Sequence, residues 1–220
     1  MKGWCIRGVV SVDENLDDLE KAYGCEVRWA QGFRVNVDSR LLLLGLRRML
    51  SLKMLEENDL RNSEYVLGCR LGAMDSYESF DDSRKQGKSA PLAFAYALPS
   101  IPLACASVYF RLCGQTYTVV GKENIGLRAL KQGIALIKAG RADRVIVGCW
   151  ETPSATARDN NDSNRCRLLL AIVESASNPT EIHGLHSSDK NQEAESDCIK
   201  VFARFLQNEG HVVMHGGRDA

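Results

Sequence analysis

The chain has 220 residues, enough for one sizeable core or for one domain with an appendage, since domains commonly run to about 100 to 150 residues. Its 28 basic and 28 acidic side chains cancel, and no basic and aromatic stripe breaks that balance, so neither nucleic acid nor an anionic membrane is an expected partner. No run approaches the roughly 18 apolar residues of a membrane helix, and the start MKGWCIRGVVSVDENL lacks the apolar core of a signal peptide, so the expected location is cytoplasmic.

Trp4 to Val12 (WCIRGVVSV) reads as a first strand, and the acidic DENLDDLE after it as a solvated helix or loop. Val27 to Asp38 is ambiguous. Leu41 to Leu55 places apolar residues at helical spacing, with Arg47, Arg48 and Lys53 on the wet side and Glu56, Glu57 and Asn58 closing it. A strand at Tyr65 to Cys69 leads into a polar, Gly-containing segment, a loop with a short helix inside. Pro91 to Pro102 is a Pro-bounded apolar connector, and Leu103 to Leu112 is a further helix ending at Cys113-Gly114.

The most legible unit follows. Thr116 to Val120 (TYTVV) is a β-branched and aromatic strand ended by Gly121. From Asn124 to Ala139, the polar residues Asn124, Arg128, Lys131, Gln132 and Lys138 form one stripe on an otherwise apolar helix, which is therefore buried round most of its circumference. Gly126 and Gly133 share a face of it, and each costs roughly 1 kcal/mol of helix propensity, a cost worth bearing where another backbone comes close. Gly140 is expected to stop the helix at C′, and Arg144 to Cys149 is a strand without alternation, as fits one covered on both faces. Glu151 to Asn164 is a polar surface loop, and Arg167 to Glu174 a last core strand. Residues 175–192 are polar, and Glu193 to Asn208 is amphipathic, with Cys198, Ile199, Phe202, Phe205 and Leu206 on one face. The alternation of strands and helices argues a layered α/β domain with the 114–150 helix near its centre.

The eight cysteines are scattered without a CxxC pair and read as small buried hydrophobes, not as a disulfide or metal framework. His183, His186, His211 and His215 all lie in the polar tail, where incidental histidines are the plainer reading than a metal site. No metal and no cofactor are expected. Gly121 to Gly126 is no phosphate loop, because no Gly-Lys-Ser/Thr follows.

The order of these elements, the turn after GQTYTVV, the buried helix ending in AG and the string RADRVIVGCWE together resemble the N-terminal half of the β-ketoacyl synthases of the thiolase fold. Gly114, Gly140, Ala142, Asp143 and Gly148 stand at matching places without gaps, and Ile6 to Ser11 and Leu46 to Leu50 look like further landmarks. The resemblance covers roughly residues 4 to 174. It implies a thiolase-like half-fold, layered α/β/α, with a mixed sheet and a buried central helix, in a domain of residues 1–176 followed by a linker and amphipathic helix at 177–220.

The gapless register puts Glu123 where that family has its nucleophilic cysteine. A carboxylate suits the first turn of a helix but is a far poorer nucleophile toward a thioester than a thiolate. The family's catalytic histidines come from a second half, and none of the four histidines here sits in a matching context. The expected chain does not carry out Claisen condensation alone. It is similar to chain-length-factor-like or short synthase-like proteins that lack the cysteine and pair with an active ketosynthase in fatty acid, polyketide or aryl-polyene synthesis. The family's dimer edge corresponds to Thr116, Tyr117, Thr118, Val119 and Val120, which implies pairing with a β-ketoacyl synthase subunit or with a second copy, and an acyl carrier protein is a further candidate partner. Two other readings stand beside this one. Glu123 is either a helix-start residue that satisfies free N–H groups, or a general base in an acyl-carrier-dependent decarboxylase or acyltransferase. The stripe through Arg128 and Lys131 is read as the wet edge of its helix in preference to a carrier-protein dock.

Overall fold

The computed structural model describes residues 3–29, 35–70, 72–121, 123–153 and 164–176, together with Phe202 and Arg204. In chain order these form β1 (Gly3–Asn15), α1 (Leu16–Glu26), α2 (Val37–Ser51), α3 (Glu57–Asn62), β2 (Glu64–Cys69), α4 (Met74–Lys85), α5 (Pro91–Tyr96), α6 (Ile101–Phe110), β3 (Thr116–Val120), α7 (Ile125–Lys138), β4 (Arg144–Glu151) and β5 (Arg165–Ala176).

The strands form one five-stranded mixed sheet in the order β1-β5-β4-β2-β3. β2 runs parallel to both β3 and β4, while β5 runs antiparallel to both β4 and β1. Because alternate side chains point to opposite faces, β1, β2, β4 and β5 each serve two cores, while β3 packs only on the α7 side. Tyr65, Leu67, Ile146, Leu168 and Leu170 face α1, α2 and α6, and Val66, Val145, Val147, Leu169 and Ala171 face α7. This is the α/β/α layering expected from the sequence. It also explains why the central strands read as unbroken apolar runs. In β1 the register shifts between Ile6 and Gly8, so Trp4, Ile6 and Val9 share the α7 side despite their uneven spacing.

Several boundaries differ from the sequence reading for local reasons. The acidic segment divides between the end of β1 and the start of α1, because Asn15 caps the helix by accepting from the Asp18 N–H at 2.9 Å. Asn36 caps α2 in the same way, accepting from Ser39 N–H at 3.1 Å, so that helix begins four residues before Leu41. It ends at Ser51, and the closing carboxylates begin a separate short helix, α3. The Pro-bounded connector holds all of α5 and the first two residues of α6, each helix with proline in its first turn, where the missing N–H costs nothing.

α7 ends as expected. Gly140 is left-handed (φ 68°), its N–H donates to Ile137 O at 2.9 Å, and Arg141 N–H reaches Leu136 O at 3.0 Å. The same turn closes α6 with Arg111 (φ 56°) in the left-handed place, where Leu112 N–H donates to Ser107 O at 3.1 Å. Lys53 (φ 54°) plays that part after α2.

The two helix glycines do not admit a backbone. A Cβ on Gly133 would lie 2.4 Å from Val147 Cγ1, and one on Gly126 would lie 2.7 Å from Cβ of Phe202, so both make room for side chains. Phe202 is fully buried in the α7-side core. Of the amphipathic segment at 193–208, only Phe202 and Arg204 are among the described residues, and the histidines lie outside them.

Candidate functional site

The parallel strands β2, β3 and β4 deliver their C-terminal ends to one edge of the sheet, where ligand sites of open α/β sheets form. There the chain leaves β3 at Gly121, whose N–H donates to Cys69 O at 3.3 Å, and enters α7 through Asn124, which is left-handed (φ 50°). Gly68 lets α7 settle closely on β2. A Cβ there would lie 2.1 Å from Ile125 Cγ2 and 3.1 Å from the Ile125 carbonyl oxygen.

Glu123 stands in this turn and is exposed. No hydrogen bond or ion pair holds it among the described residues. The thiols nearest in topology do not supply what the turn lacks. Cys69 and Cys149, near the ends of β2 and β4, are fully buried on opposite faces of the sheet. Cys105 on α6 has its thiol pushed up by burial, an effect that exceeds the opposing hydrogen bond with Ser39. Among the described residues, no group of three or more His, Cys, Asp or Glu is placed to hold a metal.

At the same end of the sheet, on its α2 side, lies a polar cluster that the sequence did not disclose. Asp38, in the first turn of α2, is 2% exposed and accepts from Trp150 Nε1 at 3.0 Å and from Thr152 Oγ1 at 2.5 Å. The Nδ2 of Asn36 donates to Ser76 Oγ at 3.4 Å and to Tyr96 O at 3.3 Å. These bonds tie α2, β4, α4 and the end of α5 together. The only sequence signal was a run of capping residue types before Leu41, inside the stretch read as ambiguous.

Thr116 to Val120 form the outermost strand. β3 pairs with β2 on one side, and its other edge has no strand partner among the described residues. Tyr117 and Val119 pack on the α7-side core. Thr116 and Val120 are exposed, and Val120 retains 50% of its surface. Arg128, in the polar stripe of α7, is also exposed.

No protein-family model matches the chain, and no curated protein matches it. Solved structures do. The chain is similar to a structure of a ketosynthase in complex with its chain length factor from Xenorhabdus doucetiae, with a TM-score of 0.57 and 11% identity over 80% of this chain and 80% of that one. It is similar to the ishigamide ketosynthase/chain length factor, with a TM-score of 0.54 and 21% identity over 70% of this chain and 48% of that one. A third likeness is to a type II polyketide synthase acyl-carrier protein complex with its ketosynthase, with a TM-score of 0.58 and 12% identity over 79% of this chain and 63% of that one. No described helix is long and apolar enough to cross a membrane. The fold of this chain is thus the layered α/β/α half-fold of the thiolase-like ketosynthases.

Proposed function

We propose that the chain is a non-catalytic, chain-length-factor-like subunit that associates with an active β-ketoacyl synthase in type II fatty acid or polyketide biosynthesis. The observation that carries this reading is an edge strand, Thr116 to Val120, whose outer side has no strand partner among the described residues, followed by a turn that offers Glu123 in place of a thiol. An open edge strand with β-branched side chains is a template for adding a strand from a partner. Two of the structural neighbours are complexes of a ketosynthase with a chain length factor, which supports a ketosynthase as the partner. A neighbour that is a ketosynthase with its carrier protein supports an acyl carrier protein as a third component.

The alternative use of Glu123 as a base in acyl-carrier-dependent decarboxylation or acyl transfer is weaker. A general base works when its geometry is held, and Glu123 has no holding partner among the described residues. Co-expression with the ketosynthase encoded nearest to this chain tests the main reading: a complex that co-purifies and survives gel filtration supports it, and separate elution of the two proteins contradicts it. Malonyl-carrier decarboxylation by the complex tests the alternative. Equal rates for wild type and Glu123→Ala exclude the carboxylate from the chemistry.

A further inference from the structure

At the opposite end of the sheet, where β2 and β3 begin, α2, α3 and α6 border an open cleft of about 280 Å³. Three arginines line it: Arg47 from α2, Arg61 from α3 and Arg111 just after α6. Leu50, Leu60, Tyr109 and Phe110 form its apolar wall, and Glu57 is its one carboxylate. None of the three guanidinium groups is in an ion pair with a described residue. Arg48, next to Arg47, shows how the chain treats a structural arginine: it is held by Glu14 at 3.4 Å and Glu26 at 3.1 Å.

The cleft is held in shape. Arg61 Nε donates to Arg111 O at 3.4 Å, and Cys113 N–H donates to Arg61 O at 2.7 Å, so the end of α3 and the loop after α6 are joined twice. The Tyr109 hydroxyl donates to Val27 O at 2.5 Å, which fixes the ring and spends its hydrogen. Arg111 itself occupies the left-handed position that glycine fills after α7. A side chain with a Cβ is strained there, and such strain is often kept where the side chain has work to do.

We propose that this cleft binds an organic phosphate monoester. Three guanidinium charges against one carboxylate leave two positive charges. A phosphate monoester carries about −1.5 to −2 at pH 7 and presents three acceptor oxygens that match the planar forks of arginine. The leucines and aromatic rings give its organic part an apolar surface to lie on. The site lies at the other end of the strands from Glu123, and it binds its ligand whether or not β3 has a partner.

Calorimetric titration of the full chain at low salt with phenyl phosphate, inorganic phosphate and phenol tests the site. Phenyl phosphate is expected to bind saturably and more tightly than inorganic phosphate, and phenol not to bind. Arg61→Gln weakens phenyl phosphate about tenfold or more, by loss of charge-assisted hydrogen bonds. Arg111→Gly does the same while its melting temperature stays level or rises, because glycine suits that backbone position; this variant separates lost binding from lost folding. Glu57→Gln tightens binding. Absence of saturable phenyl phosphate binding, unchanged affinity in Arg111→Gly, or phenol binding as tightly as phenyl phosphate would overturn the assignment.

Discussion

Asp38 brings a carboxylate into a nearly dry place, where it accepts from the Trp150 indole and the Thr152 hydroxyl. Removing it leaves the buried indole N–H without an acceptor, a loss of about 2–3 kcal/mol. Asp38→Ala is expected to lower the free energy of chemical denaturation by that amount, and Asp38→Asn, which keeps an acceptor oxygen, by clearly less. Lys53 is a converse case. It is exposed and left-handed at φ 54°, a conformation that costs a residue with a Cβ roughly 1 kcal/mol. Lys53→Gly should therefore stabilise the chain by up to about 1 kcal/mol in the same assay, since glycine meets no such steric cost. Arg144 shows how a half-buried cation is kept. Burial alone would lower its proton affinity, but Glu174 at 2.6 Å and Asp59 at 2.8 Å together outweigh that and raise it.

Among the described strands, β1 and β3 are the two with an open hydrogen-bonding edge, and β3 is the one that leads into the turn with Glu123. Val120 is half exposed at its end, so Val120→Lys leaves both cores untouched and places a charge where an incoming strand would lie. The expected result is an unchanged thermal melt for the isolated chain and about tenfold or weaker association with the partner ketosynthase in sedimentation velocity. The strand itself was legible from TYTVV, as were α7 and its Gly140 stop, because propensity, period and turn chemistry agree there. The edge position of β3 was not readable from composition and came only through the family resemblance, since strand order depends on pairings between distant segments. Gly126 shows the limit most plainly. The sequence marks it as a place of close approach, but the group that approaches is Phe202, far along the chain in a segment joined by no continuous pattern. The polar cluster round Asp38 and the arginine cleft escaped for the same reason: each gathers residues from three or more elements that carry no shared motif.

For the whole molecule, Phe202 adds a buried ring to the α7-side core, seated on Gly126. We propose that the segment carrying Phe202 caps the α7-side core of the domain of residues 1–176. Phe202→Ala should then cost about 3–5 kcal/mol, the usual loss for a buried aromatic, and a chain ended after Ala176 should be poorly soluble. A truncated chain that stays soluble and melts like the parent would count against capping. The ends of the sheet divide the proposed roles. The C-terminal ends of the parallel strands carry the turn with Glu123, the open edge of β3 faces a partner, and the N-terminal ends of β2 and β3 carry the arginine cleft. The most direct measurement is the mass of the species formed when this chain is co-expressed with the ketosynthase encoded nearest to it, read by native mass spectrometry. The account predicts a heterodimer or higher complex containing both chains, reduced by Val120→Lys. Separate masses for the two proteins, with no mixed species at micromolar concentration, would contradict it.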